Sequence, residues 1–278
     1  LLNTSIIIIP DLICIYFSAA RGNGYAQVKT FLNGIQIPGF LRFRTCIAKV
    51  LGVISSSVAG LALGKEDPMI HIGACLAKGL SQGSQGMMRC TKFGTKWLEY
   101  LWTDEVKRDF VTIGAAAGIA AAFNAPIAAV IFVIEEGASY WHKHITWRTF
   151  FCAMFCYAGL NGILSFIYGP GDGVISWQGI TNFGVVQELD YTWMELPHFL
   201  LMGVIGGFFG SLFNCLNGKV NLFRQFYRFV EVLLISVITS ATGFALIFWT
   251  NACQWVDTLQ FHSPVQLYCW DNHYAEMA

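Results

Sequence analysis

Apolar residues fill long windows of this chain, and polar positions stand between the windows instead of alternating within them. Phe110–Ile134, Thr149–Gly171, Leu196–Gly218 and Val232–Val256 contain no Asp, Glu, Lys or Arg. Each is at least as long as the roughly 20 residues that cross a hydrocarbon core as an α-helix. Two further segments, Thr4–Ala20 and Cys46–Gly64, carry one charge each, Asp11 and Lys49. The pattern predicts an all-α, polytopic membrane protein with about nine full or broken helices, over 5–20, 24–34, 43–63, 67–80, 108–122, 125–138, 144–168, 193–222 and 227–249. Several are too short to span. Phe123-Asn124-Ala125-Pro126 splits one apolar stretch in two, because proline lacks a backbone donor and clashes with the preceding turn. Interrupted helices at membrane depth are tolerated where they are buried in protein or line an aqueous cavity, as in transporters. The small-residue runs GAAAGIAAA (114–122) and GVIGGFFGSLFN (203–214) read as helix-packing faces.

Composition agrees with the pattern. Hydrophobic residues make up 55% of the 278 and charged residues only 12%, against roughly 25% in a soluble domain. Net charge is zero, so no electrostatic case exists for nucleic acid. All 17 Lys and Arg lie at or before Arg228, and none falls between Thr149 and Gly218. By the positive-inside rule, the basic connectors 81–109 and 218–229 are cytosolic, and the acidic connectors 169–191 and 250–278 face outside or a lumen. The N-terminal apolar run has neither a basic head nor a cleavage site, and the start looks cut inside a larger protein. Nine cysteines are scattered without a CxxC pair, which leaves no metal motif. Cys253 and Cys269 share the last non-cytosolic connector, where a disulfide between them is plausible.

The chemistry gathers where charges interrupt apolar runs. In GKEDPMIHIG (64–73), Pro68 fits the first turn of a helix, with Glu66 and Asp67 in its cap region. The following segment, MIHIGACLAKGL, is only about a dozen residues, so its N-terminus starts inside the membrane. A helix N-terminus presents free N–H groups and about half a positive charge, a ready anion site. A glutamate at its mouth competes with the anion and leaves when protonated. The loop before 24–34 reads RGNGY, where Gly22 and Gly24 allow a tight turn and Asn23 offers an amide to a helix cap or an anion. IFVIEEG places Glu135 and Glu136 at the edge of an uncharged span, where ionisable groups serve proton relays. Adjacent helical residues point about 100° apart, so at most one of the two faces a given path. Each motif also has a plainer reading, as a solvated helix end or a turn.

Taken in order, the Gly-x-Gly loop, GKE-x-P, GAAAGIAAAFNAPIAAVIFVIEE and GVIGGFFGSLFNCLN resemble the CLC family of chloride channels and chloride/proton exchangers along essentially the whole chain. EEGASYWHKHITWR (135–148) and PVQLYCWDNHYAEMA (264–278) look most like its eukaryotic lysosomal/endosomal branch. The resemblance implies a dimer of two-half subunits with one pore each. It assigns Glu66 as the gating glutamate and Glu136 as the internal proton-transfer glutamate, which marks exchangers. It places Gly22, Asn23 and Gly24 around the central anion, with Gly64, Lys65 and Asp67 at the second helix start. It implies no cofactor beyond the transported chloride and protons, and it leaves room for a full-length relative as dimer partner and for a single-span accessory subunit.

Three departures bear on that reading. Asn23 replaces the family's usual Ser, Tyr25-Ala26 replaces Ile-Pro, and Asp67 replaces the glycine after the gating glutamate. An ionised Asp67 at 4 Å from chloride would repel it by roughly 4 kcal/mol at an effective dielectric of about 20. The family's second-half Gly-x-Phe-x-Pro helix start, its pore tyrosine, its earliest membrane helix and its cytosolic CBS domains have no counterpart in these residues. The chain is therefore expected to hold one inverted-repeat half, the start of the second and about half of an anion path. Proton-coupled chloride exchange is the leading expectation. The rivals are a non-transporting fragment that acts in assembly with a full-length relative and a passive voltage-gated chloride channel. An enzyme is not expected, because no nucleophile–base set or metal-ligand cluster stands out.

Overall fold

The structure, a computed structural model, describes residues 5–61, 63–82, 103–137, 141–168, 193–223, 228–250, 253–255 and 273–275. Among them are nine α-helices: α1 (Ile8–Tyr16), α2 (Tyr25–Leu32), α3 (Phe43–Val58), α4 (Glu66–Gln82), α5 (Asp104–Phe123), α6 (Pro126–Phe132), α7 (Lys143–Tyr168), α8 (Leu196–Phe223) and α9 (Arg228–Thr250). Short 3-10 turns at Ser18–Ala20 and Trp193–Glu195 precede α2 and α8, and a π-turn, Val133–Gly137, extends α6. The expected helices are all present, and the exceptions lie at their ends.

The first helix is shorter than 5–20 because its C-terminus is capped early. Arg21 Nη2 donates to the Cys14 carbonyl at 3.0 Å, and a cation suits that end of a helix. The third ends at Val58, since Gly60 turns left-handed at φ 72° and its N–H returns to the Ser57 carbonyl at 3.0 Å. The fourth exceeds the dozen residues expected: it has 17 and begins at Glu66, about 25 Å at 1.5 Å per residue. Both acids lie in its electropositive first turn with Pro68, where a missing donor costs nothing. The break after α5 is as expected: Asn124 is left-handed (φ 56°) and Pro126 opens α6.

One small feature adds to the all-α expectation. Cys253–Trp255 pairs antiparallel with His273–Ala275, with Cys253 opposite Ala275 and Trp255 opposite His273. Most of the four expected connectors, and Cys269 with them, lie outside the described residues.

The chain divides into two compact units, Leu12–Ser55 with Ala62–Tyr191, and Leu1–Asp11 with Ser56–Leu61 and Thr192–Ala278. The first has a core in which α5 packs between α4 and α7, centred on residues such as Ile70, Ala74, Val111, Ala115 and Ile119. The small-residue run of α5 makes this seam. A Cβ added to Gly114 would lie 2.4 Å from the Gly73 carbonyl oxygen, and one on Gly118 2.4 Å from that of Met69. In the second unit, α8 is apolar and exposed: Trp193–Val220 has mean hydropathy 1.9 with none of its 18-residue apolar window buried. With Lys143–Ile167 (mean hydropathy 1.8), it is one of two described helices long and apolar enough to cross a membrane.

Candidate functional site

The turn before α2 is built from two glycines and a buried lysine. Gly22 (φ 79°) and Gly24 (φ 97°) occupy the left-handed region that glycine enters without steric cost. Lys49 reaches the turn from α3 with only 5% of its surface exposed. Its ammonium donates to the Ala20 carbonyl at 3.1 Å and to the Gly22 carbonyl. In a trans peptide the next N–H points opposite to the carbonyl, so the Asn23 N–H faces away from Lys49. Gly24 caps α2 without a side-chain hydrogen bond, which leaves first-turn N–H groups and the positive end of the helix dipole available. The Asn23 side chain is exposed.

The start of α2 rests on α4. A Cβ on Gly24 would come within 2.7 Å of His71 Cβ, and His71 itself is fully buried. At the head of α4, the Glu66 carboxylate curls back over Gly64: a Cβ there would lie 2.6 Å from Oε2. Lys65, Glu66 and Asp67 are half-buried. Asp67 lies within electrostatic reach of both the Lys49 ammonium and the Tyr25 phenol. Gly22, Gly24, Gly64, Glu66 and Asp67 belong to one compact unit, and contact between α2 and α4 brings the two loop-to-helix starts toward each other.

Glu136 sits in the π-turn and accepts a hydrogen bond from Lys29 Nζ of α2 at 2.9 Å, with the two side chains 55% and 43% exposed. Such wide turns recur at functional sites. Glu135 is exposed as well, and Lys29 is what distinguishes its neighbour. Tyr25, a turn before Lys29, lies within electrostatic reach of both Glu136 and Asp67, and its ring packs 5.5 Å from that of Phe132. Its hydroxyl is buried with no hydrogen-bond partner among the described residues.

Sequence reasoning missed the roles of Lys29, Lys49 and His71. Lys49 left a signal, since it is the one charge in an apolar segment, whereas Lys29 and His71 become visible only when α2 meets its neighbours. The expected Cys253–Cys269 bridge lies outside the described residues on its Cys269 side.

Comparison with known proteins adds an independent line. Residues 6–271 match the family model described as "Voltage gated chloride channel". The chain is 41% identical over its full length to "H(+)/Cl(-) exchange transporter 7" of Mus musculus, of which it covers 35%. It is 39% identical over 88% of its length to "Chloride channel protein D" of Dictyostelium discoideum, of which it covers 25%. The chain thus spans about a third or less of these relatives. In fold it is similar to the crystal structure of a eukaryotic CLC transporter, with a TM-score of 0.64 and 22% identity, over 91% of this chain and 42% of that one. With the glycine turn, the interrupted helices and the paired glutamates in the order expected, this chain belongs to the voltage gated chloride channel (CLC) family.

Proposed function

We propose that the chain forms the N-terminal membrane half of a chloride/proton exchanger, a transporter and not an enzyme, in a lysosomal, endosomal or other vesicular membrane. Chloride binds between the starts of α2 and α4. Glu66 competes with it there and withdraws when protonated, so that anion and proton move in opposite directions. Glu136 relays protons on the cytosolic side. No cofactor is part of the reading. The observation that carries it is the seating of the glycine turn on the helix that Glu66 opens, with the carboxylate folded over Gly64. The printed name of the mouse relative supports the same activity.

Liposomes holding the complete gene product that contains residues 1–278 test the reading. A chloride gradient is expected to drive proton movement. Glu66→Gln should cut proton flux at least about tenfold, and Glu136→Gln should lose proton flux while retaining chloride flux. Full coupling in Glu66→Gln would overturn the gate assignment, full coupling in Glu136→Gln would overturn the relay assignment, and chloride flux without proton movement in the unaltered protein would favour a passive channel. The exposed apolar surface of α8 favours a second reading, in which these residues act only in assembly with a full-length relative. Liposomes holding the 278 residues alone would then show no chloride-driven proton movement.

A further inference from the structure

His71 takes no part in the exchange scheme, yet it is fully buried beside the anion turn. Its ring stacks on Phe40 with centroids 4.1 Å apart and planes 9° apart. Nε2 lies 3.2 Å from the Phe40 carbonyl oxygen. A carbonyl only accepts, so Nε2 carries the proton and Nδ1 is left with a bare lone pair. Nδ1 is buried without a partner among the described residues, and a Cβ on Gly24 would meet it at 2.9 Å. The imidazole is therefore held by Phe40 on two counts, by stacking and by a hydrogen bond, and its other edge abuts the residue that opens α2.

We infer that His71 is a positioning residue for anion binding: hung from Phe40, it sets how far the Gly22–Gly24 turn stands from α4 and hence from Glu66. Three observations converge on this. His71 lies on the same helix as Glu66, about a turn and a half further along, so one rigid element carries both the gate and the seat of the turn. Lys49 holds the turn by its carbonyls from the α3 side, and His71 closes the α4 side, so the turn is clamped between two buried groups. The lone pair on Nδ1 repels an anion, which leaves the N–H side of the turn as the side a halide approaches.

The inference rests on the anion site proposed above, and the test separates the two. Chloride binding to the complete gene product is measured by isothermal titration, alongside chloride-driven proton uptake in liposomes and thermal melting. Glutamine places its amide nitrogen where Nε2 sits and asparagine where Nδ1 sits. His71→Gln should therefore keep chloride affinity within about twofold of the wild type. His71→Asn and His71→Leu should lose about fivefold to tenfold, as expected for one lost buried hydrogen bond. The rate at saturating chloride should change less than about twofold in all three. Wild-type affinity in His71→Asn would overturn the inference. So would equal losses in His71→Asn and His71→Gln, a fall in rate with affinity unchanged, or failure of both His71→Asn and His71→Leu to fold, since each makes the residue structural alone. A wild-type protein that binds no chloride would instead sink the proposed function itself.

Discussion

Two glycine-rich helices of this chain look alike in composition and differ in what surrounds them. On α5, Gly114 and Gly118 are pressed against the backbone of α4 so closely that a methyl group on either would fall within 2.4 Å of a neighbouring atom. On α8, Gly203, Gly206, Gly207 and Gly210 have nothing within 4 Å of where a Cβ would stand. The first helix uses its small residues on a seam with α4, the helix that carries Glu66 and His71 and seats the Gly22–Gly24 turn. The second presents the same kind of surface outward, with Phe208 and Phe213 more than two-thirds exposed. Small residues in an apolar helix thus announce that a backbone approaches, without saying whether this chain supplies it.

The contrast is open to direct attack. Gly114→Val should do the most damage, since the offending atoms, Ala77 Cβ and the Gly73 carbonyl oxygen, are fixed to the backbone of α4 and cannot rotate away. Overpacking of this kind costs about 1–3 kcal/mol, occasionally more, and the detergent-solubilised protein should melt several degrees lower or aggregate. A melting point equal to wild type would show that the seam is looser than described. Gly24→Ala comes next, because a left-handed residue with a side chain costs about 1–3 kcal/mol and its methyl would strike His71. Chloride binding should weaken with it, measured by isothermal titration. On α8, Gly207→Ala should go the other way. With open space around it, alanine gains about 0.5–1 kcal/mol of helix propensity, unless a covering partner turns the gain into a loss. That reversal, seen as destabilisation in the complete gene product only, would locate the partner.

The smallest effect concerns pH. Burial pushes the Asp109 carboxyl above its ordinary value, against the pull of His142 and Arg148 beside it. A raised carboxyl binds its proton more tightly when folded, so it favours the fold at low pH and loses that contribution as pH rises through its folded value. Asp109→Asn should therefore flatten the decline in melting temperature between acidic and neutral pH. An unchanged slope would remove Asp109 from the account.

The helices were legible because their signals are local: uncharged windows, and Pro126 after Asn124. The ends moved where a side chain from elsewhere intervened, as Arg21 did for α1. The site was half legible. Glu66, Gly22, Gly24 and Glu136 stand out as charges or glycines in apolar surroundings, and their motifs lie in the family's order. Lys29 and His71 gave no such warning, because an ion pair 107 residues apart and a ring seated under a glycine exist only once α2 has docked.

The wide turn at Val133–Gly137 carries a genetic corollary. Its five residues, Val-Ile-Glu-Glu-Gly, hold one more residue than an ordinary α-turn would accommodate. Loss of a single codon there, such as that for Ile134, would let the coil tighten to an ordinary α-turn, which absorbs the missing residue and leaves the following side chains facing nearly as before. Glu136 would then keep Lys29 within reach, and a deletion of one uncharged residue would spare the ion pair.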